Sequence, residues 1–250
     1  MTITIGNQSV FYGEQGEGPA ILLLHGWGAD GALFAPLTGL LARKYRVLAL
    51  DFPGFGHSPE PPAPWDVDGY ADLVLGFLDA LGIGECALLG HSFGGRVIIK
   101  LCARQLEAPR FTKAILVGAA GVRHGQGKKS SGRAKRYRLA KKILKPFPKL
   151  LERARNHYGS ADYRAASPLM RQVLVNTVNE DLSGLLPLIR QETLLIWGRG
   201  DDQTPLSDGQ LMENTIPNAG LVILENAGHY AFLERQEQFL RVMASFMQIT

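Results

Sequence analysis

The chain has only two cysteines in 250 residues and no long apolar run, and each shortage excludes a class of protein. Cys86 and Cys102 are too few for a disulfide framework and wrongly spaced for a zinc site, so buried free thiols are expected. No stretch approaches the roughly 18 apolar residues that a membrane-spanning helix needs. The strongest apolar runs, such as Ile21 to Leu24 and Ile115 to Val117, have strand length. The opening Met1-Thr2-Ile3-Thr4-Ile5 lacks a basic segment followed by an apolar one, and a cytoplasmic protein is therefore expected. No histidine pair has metal-ligand spacing, and no phosphate loop or dinucleotide fingerprint occurs, so neither a metal nor a cofactor is expected.

What is present suits a folded core. Hydrophobic residues make up 46% and charged residues 20%, which describes a globular chain of one large domain, or one domain carrying an insertion. The net charge of +4 hides an uneven distribution: Arg123 to Arg155 holds thirteen of the 27 Lys and Arg against the single acid Glu152, a local charge of +12. The remainder, with fourteen bases against twenty-two acids, carries −8. The basic stretch has few aromatics with which to stack bases and no recognisable binding module, so nucleic acid is not an expected partner.

Short apolar runs alternate with helical patterns. Strands are expected at Ala20 to Leu24, Val47 to Leu50, Cys86 to Leu89, Ala114 to Val117, Thr193 to Trp197 and Leu221 to Leu224. Their nearly continuous apolar character implies burial on both faces, the mark of parallel strands covered by helices. Leu33 to Leu41, Val67 to Leu81, Gly95 to Ala103 and Gln236 to Met247 have helical length and spacing, while Ile3 to Ile5 and Val10 to Tyr12 flank Gly6-Asn7 as an antiparallel hairpin. The expected class is α/β. The alternation breaks once, over residues 121–190, which reads as an inserted helical cap between core segments 1–120 and 191–250. Amphipathic helices are expected in it at Arg133 to Lys145, Leu150 to Tyr158 and Pro168 to Asn179.

Gly90-His91-Ser92-Phe93-Gly94 sits between an expected strand and an expected helix. A tight turn there projects the Ser92 hydroxyl, with glycines two residues to either side where a Cβ would strike neighbouring backbone. A serine hydroxyl needs a positioned base to become a nucleophile, and a histidine oriented by a carboxylate supplies one. His229 follows the last expected strand. Asp201 and its neighbour Asp202 follow the one before it, and each is also readable as a turn aspartate bonding its own backbone.

Taken together, these residues resemble the α/β-hydrolase superfamily over essentially the whole chain. His25-Gly26-Trp27-Gly28 is similar to its oxyanion loop, and Asp51-Phe52-Pro53-Gly54-Phe55-Gly56-His57-Ser58 to the turn after its fourth strand. The resemblance implies an eight-stranded, mostly parallel sheet with a cap inserted after the sixth strand. It selects Asp201, three residues after Gly198 and four before Pro205, as the acid of a Ser92, Asp201, His229 triad. It also implies an oxyanion hole from the backbone N–H groups of Trp27 and Phe93, and cofactor-independent hydrolysis of a small ester. Ser92 argues against dehalogenase and epoxide hydrolase chemistry, which uses an aspartate at that position. Thioester, lactone, amide and carbon–carbon bond hydrolysis stay open, as does a non-catalytic ligand-binding role.

The HGWG and DFPGFGHS loops also resemble those of pimeloyl-carrier-protein methyl esterases, whose cap recognises an acidic carrier protein through arginines. His91 departs from the tryptophan usual there. An acidic carrier protein or an anionic substrate is accordingly an expected partner of the basic segment, beside its reading as a solvated helix face.

Overall fold

Alternate residues of the central strands feed two different cores. In β3 (Ala20–Leu24), Leu22 and Leu24 join one apolar cluster and Ile21 and Leu23 the other, because successive side chains point to opposite faces of a sheet. The same division separates Leu88 from Leu89 in β5 (Cys86–His91), Leu116 from Ile115 in β6 (Phe111–Val117), and Trp197 from Ile196 in β7 (Glu192–Gly198). Both faces therefore need a helical cover. Each fully buried Leu, Ile or Val contributes roughly 1.5–3 kcal/mol relative to exposure.

The computed structural model describes residues 1–123 and 160–250. With β1 (Thr2–Ile5), β2 (Gln8–Gln15), β4 (Arg46–Leu50) and β8 (Ala219–Leu224), the strands form one eight-stranded sheet in the order β1-β2-β4-β3-β5-β6-β7-β8. Pairing is antiparallel for β1 with β2 and β2 with β4, and parallel from β4 through to β8. One face is covered by α2 (Val67–Ala80) and α3 (Phe93–Ala103), which supply Tyr70, Phe77, Val97 and Ile98 to the first cluster. The other is covered by α1 (Ala35–Leu41) and, near the C-terminus, by α8 (Gln236–Met247), which supply Leu37, Leu41, Phe239 and Met243 to the second. Between β6 and β7 lie α4 (Ala161–Ala165), α5 (Pro168–Asn179) and a 3₁₀ turn over Ser183–Leu188. Two further helices among the described residues are α6 (Leu206–Thr215) and α7 (Ala231–Glu234).

The expected α/β fold is the observed one. The expected strands recur, several longer by one to three residues, and Ala20–Leu24 and Gln236–Met247 have the expected bounds. The helix expected over Leu33 to Leu41 is instead two pieces. Asp30 accepts the Ala32 N–H to open a 3₁₀ turn over Gly31–Phe34, and α1 then starts at Ala35, because Pro36 has no N–H to continue a helical ladder. Strand β2 runs on to Gln15 because Tyr12 to Gln15 pair with Leu50 to Val47 of β4, a partner no local pattern reveals. In the inserted segment, α5 has the expected bounds, with Ser167 capping Met170 N–H and Pro168 at its first position. The helices expected at Arg133 to Lys145 and Leu150 to Tyr158 lie outside the described residues. Cys86 and Cys102 are buried free thiols, as expected.

Candidate active site

Ser92 occupies the turn between β5 and α3 with φ 50° and ψ −106°, a conformation a side chain rarely adopts. Its backbone is held from the β6 side: Ser92 N–H donates to Val117 O at 3.1 Å, and Ser92 O accepts from Ala120 N–H at 3.0 Å. The flanking glycines have the steric reason the sequence suggested. A Cβ on Gly90 would come within 2.6 Å of the Gly94 carbonyl carbon, and one on Gly94 would run into Leu24 O. Close passage of α3 over β3 and β5 thus demands both glycines, and that passage sets the position of Ser92.

Asp201 follows β7 and His229 follows β8, and they meet as the resemblance implied: His229 Nδ1 lies 2.8 Å from Asp201 Oδ2. With Asp201 as acceptor, Nδ1 carries the proton and Nε2 keeps its lone pair. Asp201 is otherwise fully occupied. Its Oδ1 accepts the N–H groups of Gln203 and Thr204, both at 2.9 Å, and Oδ2 also lies 2.8 Å from Thr204 Oγ1. Burial pushes the Asp201 carboxyl up, but the bonds from His229 and Thr204 outweigh it and hold the group below the ordinary aspartate range. Asp202 is exposed and makes no contact of this kind among the described residues, so it is Asp201 that the structure brings to His229.

Thr204 was not singled out in the sequence. Its hydroxyl lies 2.8 Å from Asp201 Oδ2, 3.0 Å from Gly118 O and 3.3 Å from His229 Nδ1, and its single proton serves one carbonyl or carboxylate at a time. It ties the acid to the end of β6. No spacing rule marks such a residue, because the tie depends on three strand ends being neighbours.

Two bracing histidines complete the surroundings. His25 Nδ1–H donates to Gly26 O at 2.7 Å while its Nε2 accepts Phe52 N–H at 3.0 Å, joining the HGWG loop to the turn after β4. His91 Nε2–H donates to His229 O at 3.0 Å, tying the strand that carries Ser92 to the loop that carries the base. Burial, and then the neighbouring His229, pushes His91 down to about 3, so it stays neutral. Burial likewise lowers His25. His57 is a turn residue, its N–H donating to Asp51 Oδ2 at 2.9 Å, while Asp51 Oδ1 accepts Gly31 N–H at 2.7 Å.

Ser92 and His229 line one cavity of about 380 Å³ with Trp27, Phe93, Arg96 and Thr204, although no Ser92–His229 hydrogen bond is formed among the described residues. Catalytic hydrogen bonds are commonly long without substrate and tighten when it binds. Trp27 N–H has no acceptor among the described residues, and Phe93, as the first residue of α3, has an N–H that no helical carbonyl can reach. The Phe93 ring is wedged edge-on among Trp27, Phe52 and Tyr70, with centroids 5.1–5.9 Å away. Both residues line the cavity that Ser92 lines. The described residues contain no cluster of His, Cys, Asp and Glu able to hold a metal. No described helix is long and apolar enough to cross a membrane.

The sheet order, the turn that carries Ser92 and the Asp201–His229 pair together point to an α/β-hydrolase. The chain belongs to the alpha/beta hydrolase family, whose model matches residues 21–242. It is similar to a pimeloyl-acyl-carrier protein methyl ester esterase of Chromobacterium violaceum, 26% identical over 255 residues that cover 96% of this chain and 98% of that protein. It is also similar to a 2-hydroxymuconate semialdehyde hydrolase of Pseudomonas putida, 29% identical and covering 94% and 89%. Among solved structures, the enol-lactonase from Burkholderia xenovorans LB400 superposes with a TM-score of 0.77 at 25% identity, covering 99% of this chain and all of that one.

Proposed function

We propose that the protein is a cofactor-independent serine hydrolase of the carboxylesterase type, acting on a small ester. Ser92 Oγ attacks the carbonyl carbon as its proton passes to His229 Nε2. The oxyanion forms within reach of the Trp27 and Phe93 amides, and loss of one such donor typically costs about 10² to 10³ in turnover. His229 returns the proton to the departing alkoxide. Water, deprotonated by the same imidazole, then releases the acid from Ser92, and Asp201 holds His229 in the required tautomer throughout. The carrying observation is the 2.8 Å His229–Asp201 contact within a cavity that also holds the strained Ser92.

A second reading, hydrolysis of a lactone or a carbon–carbon bond, draws support from the names of two similar proteins and uses the same three residues. In either case residues 1–120 and 191–250 form the catalytic core and 121–190 its cap. The basic run then offers an acidic carrier protein or an anionic substrate a complementary charge. The test is a chain-length series of p-nitrophenyl esters with the wild type and Ser92→Ala. Turnover by the wild type that falls by about 10⁴ to 10⁶ in the variant is expected. Equal turnover by the two proteins excludes the mechanism, and turnover of enol lactones in preference to every ester selects the second reading.

A further inference from the structure

Arg96 stands one helical turn after the nucleophile on α3, about 6 Å along the axis from Ser92. It lines the same cavity and is only 7% exposed. A guanidinium carries five N–H donors, yet among the described residues Arg96 makes one hydrogen bond, from Nη1 to Glu180 O at 2.9 Å. The carboxylates nearest in charge are committed elsewhere. Glu180 Oε1 pairs with Lys100 Nζ at 2.5 Å, and Asp181 Oδ1 accepts the hydroxyl and N–H of Ser183. Burial, opposed by the field of Glu180, lowers the pKa of Arg96, yet the group remains charged near neutral pH.

A buried cation without a bound counter-ion is costly, and the cost is recovered when an anion arrives. Capping the C-terminal carbonyl of α5 accounts for one donor of the five and needs no burial beside Ser92. The fork of a guanidinium matches a carboxylate in two parallel hydrogen bonds. Asp162 also lines the cavity, in which Arg96 is the one Lys or Arg side chain among the described lining residues.

We propose that Arg96 is a specificity-determining residue that receives a carboxylate carried by the acyl group of the substrate. This inference rests on the serine-hydrolase reading of the site. The acyl group stays on Ser92 through both half-reactions, so a contact one turn away acts on each. The cavity thereby selects short acyl groups ending in a carboxylate over neutral ones of equal length.

The experiment compares p-nitrophenyl hemiglutarate with p-nitrophenyl valerate for the wild type, Arg96→Lys and Arg96→Gln. The ratio of kcat/KM for the anionic over the neutral ester should exceed one in the wild type. It should fall by about tenfold or more in Arg96→Gln, chiefly through KM, and by less in Arg96→Lys, which keeps the charge but not the fork. A purely structural strut lowers both esters together and leaves the ratio unchanged, which overturns the proposal and spares the hydrolase reading. Glutarate titrated calorimetrically into Ser92→Ala and Ser92→Ala with Arg96→Gln gives a readout independent of turnover. Saturable binding weakened about tenfold by the second substitution supports the role of Arg96 even where no ester is cleaved. No saturable binding, or equal binding by the two variants, refutes it. Arg96→Lys remains informative where Arg96→Gln does not fold.

Discussion

At the scale of the residue, the site depends on a few protons being held in place. Asp201 accepts four hydrogen-bonding contacts and Asp202 stands in solvent, so adjacent aspartates should behave in opposite ways. Asp201→Asn is expected to lower kcat by about 10⁴ with the fold retained, because the amide favours the wrong imidazole tautomer. Asp202→Asn should leave steady-state kinetics unchanged, and a comparable loss in both would remove the distinction. His91 gives a pH effect of definite sign. It titrates near 6.5 when unfolded and near 3 when folded, so between those values the unfolded chain binds the extra proton. Stability attributable to His91 therefore falls as pH drops from about 6.5 toward about 3, and is unaffected above that window. Thermal melts of His91→Gln should show a shallower decline of Tm between about pH 6.5 and pH 4 than the wild type, with His25 retaining part of the slope. Parallel declines would show that His91 is not the group responsible.

The elements explain how much could be read beforehand. Strands β3, β5, β6 and β7 were legible because each carries a short apolar run buried on both faces, Ser92 and Asp201 because each follows such a run, and His229 because it follows the apolar but only partly buried β8. Helix α6 was not. Its buried residues are Asp208, Gly209 and Met212, and Gly209 is buried because the Trp197 ring lies against it, so no apolar stripe marks the element. Thr204 and Arg96 escaped notice for a related reason: their roles arise from strand ends and a helix terminus brought together by topology, not from local spacing. The fit of α3 over β3 is the tightest element contact near the site. Gly94→Ala would drive a Cβ into Leu24 O, where no flexible side chain can yield. A loss of about 3 kcal/mol or more, read as a lower urea midpoint at constant m, is expected. An unchanged midpoint would mean that the helix can shift freely, and with it the nucleophile.

Over the whole molecule, charge is divided between an acidic body and one basic stretch, and the role proposed for that stretch can be tested separately from the chemistry. Substituting glutamine for Lys141, Lys142 and Lys145 should lower kcat/KM for an ester carried on an acidic carrier protein while leaving a free p-nitrophenyl ester unaffected. The loss should shrink as salt is added, since interactions beyond about 8 Å are screened at physiological ionic strength. Equal effects on both esters would assign the stretch to stability instead. The proposed catalytic residues are shared by three loops at the carboxyl ends of β5, β7 and β8, where sheets of this type place their sites. In the proposed mechanism Ser92 is a nucleophile activated by His229. The most direct measurement is intact mass after exposure to an activated fluorophosphonate. One adduct per chain on Ser92, slowed strongly in His229→Ala and absent in Ser92→Ala, is the expected result. An unlabelled folded wild type, or labelling indifferent to His229, would contradict the claim and favour a chain that binds ligands without turning them over.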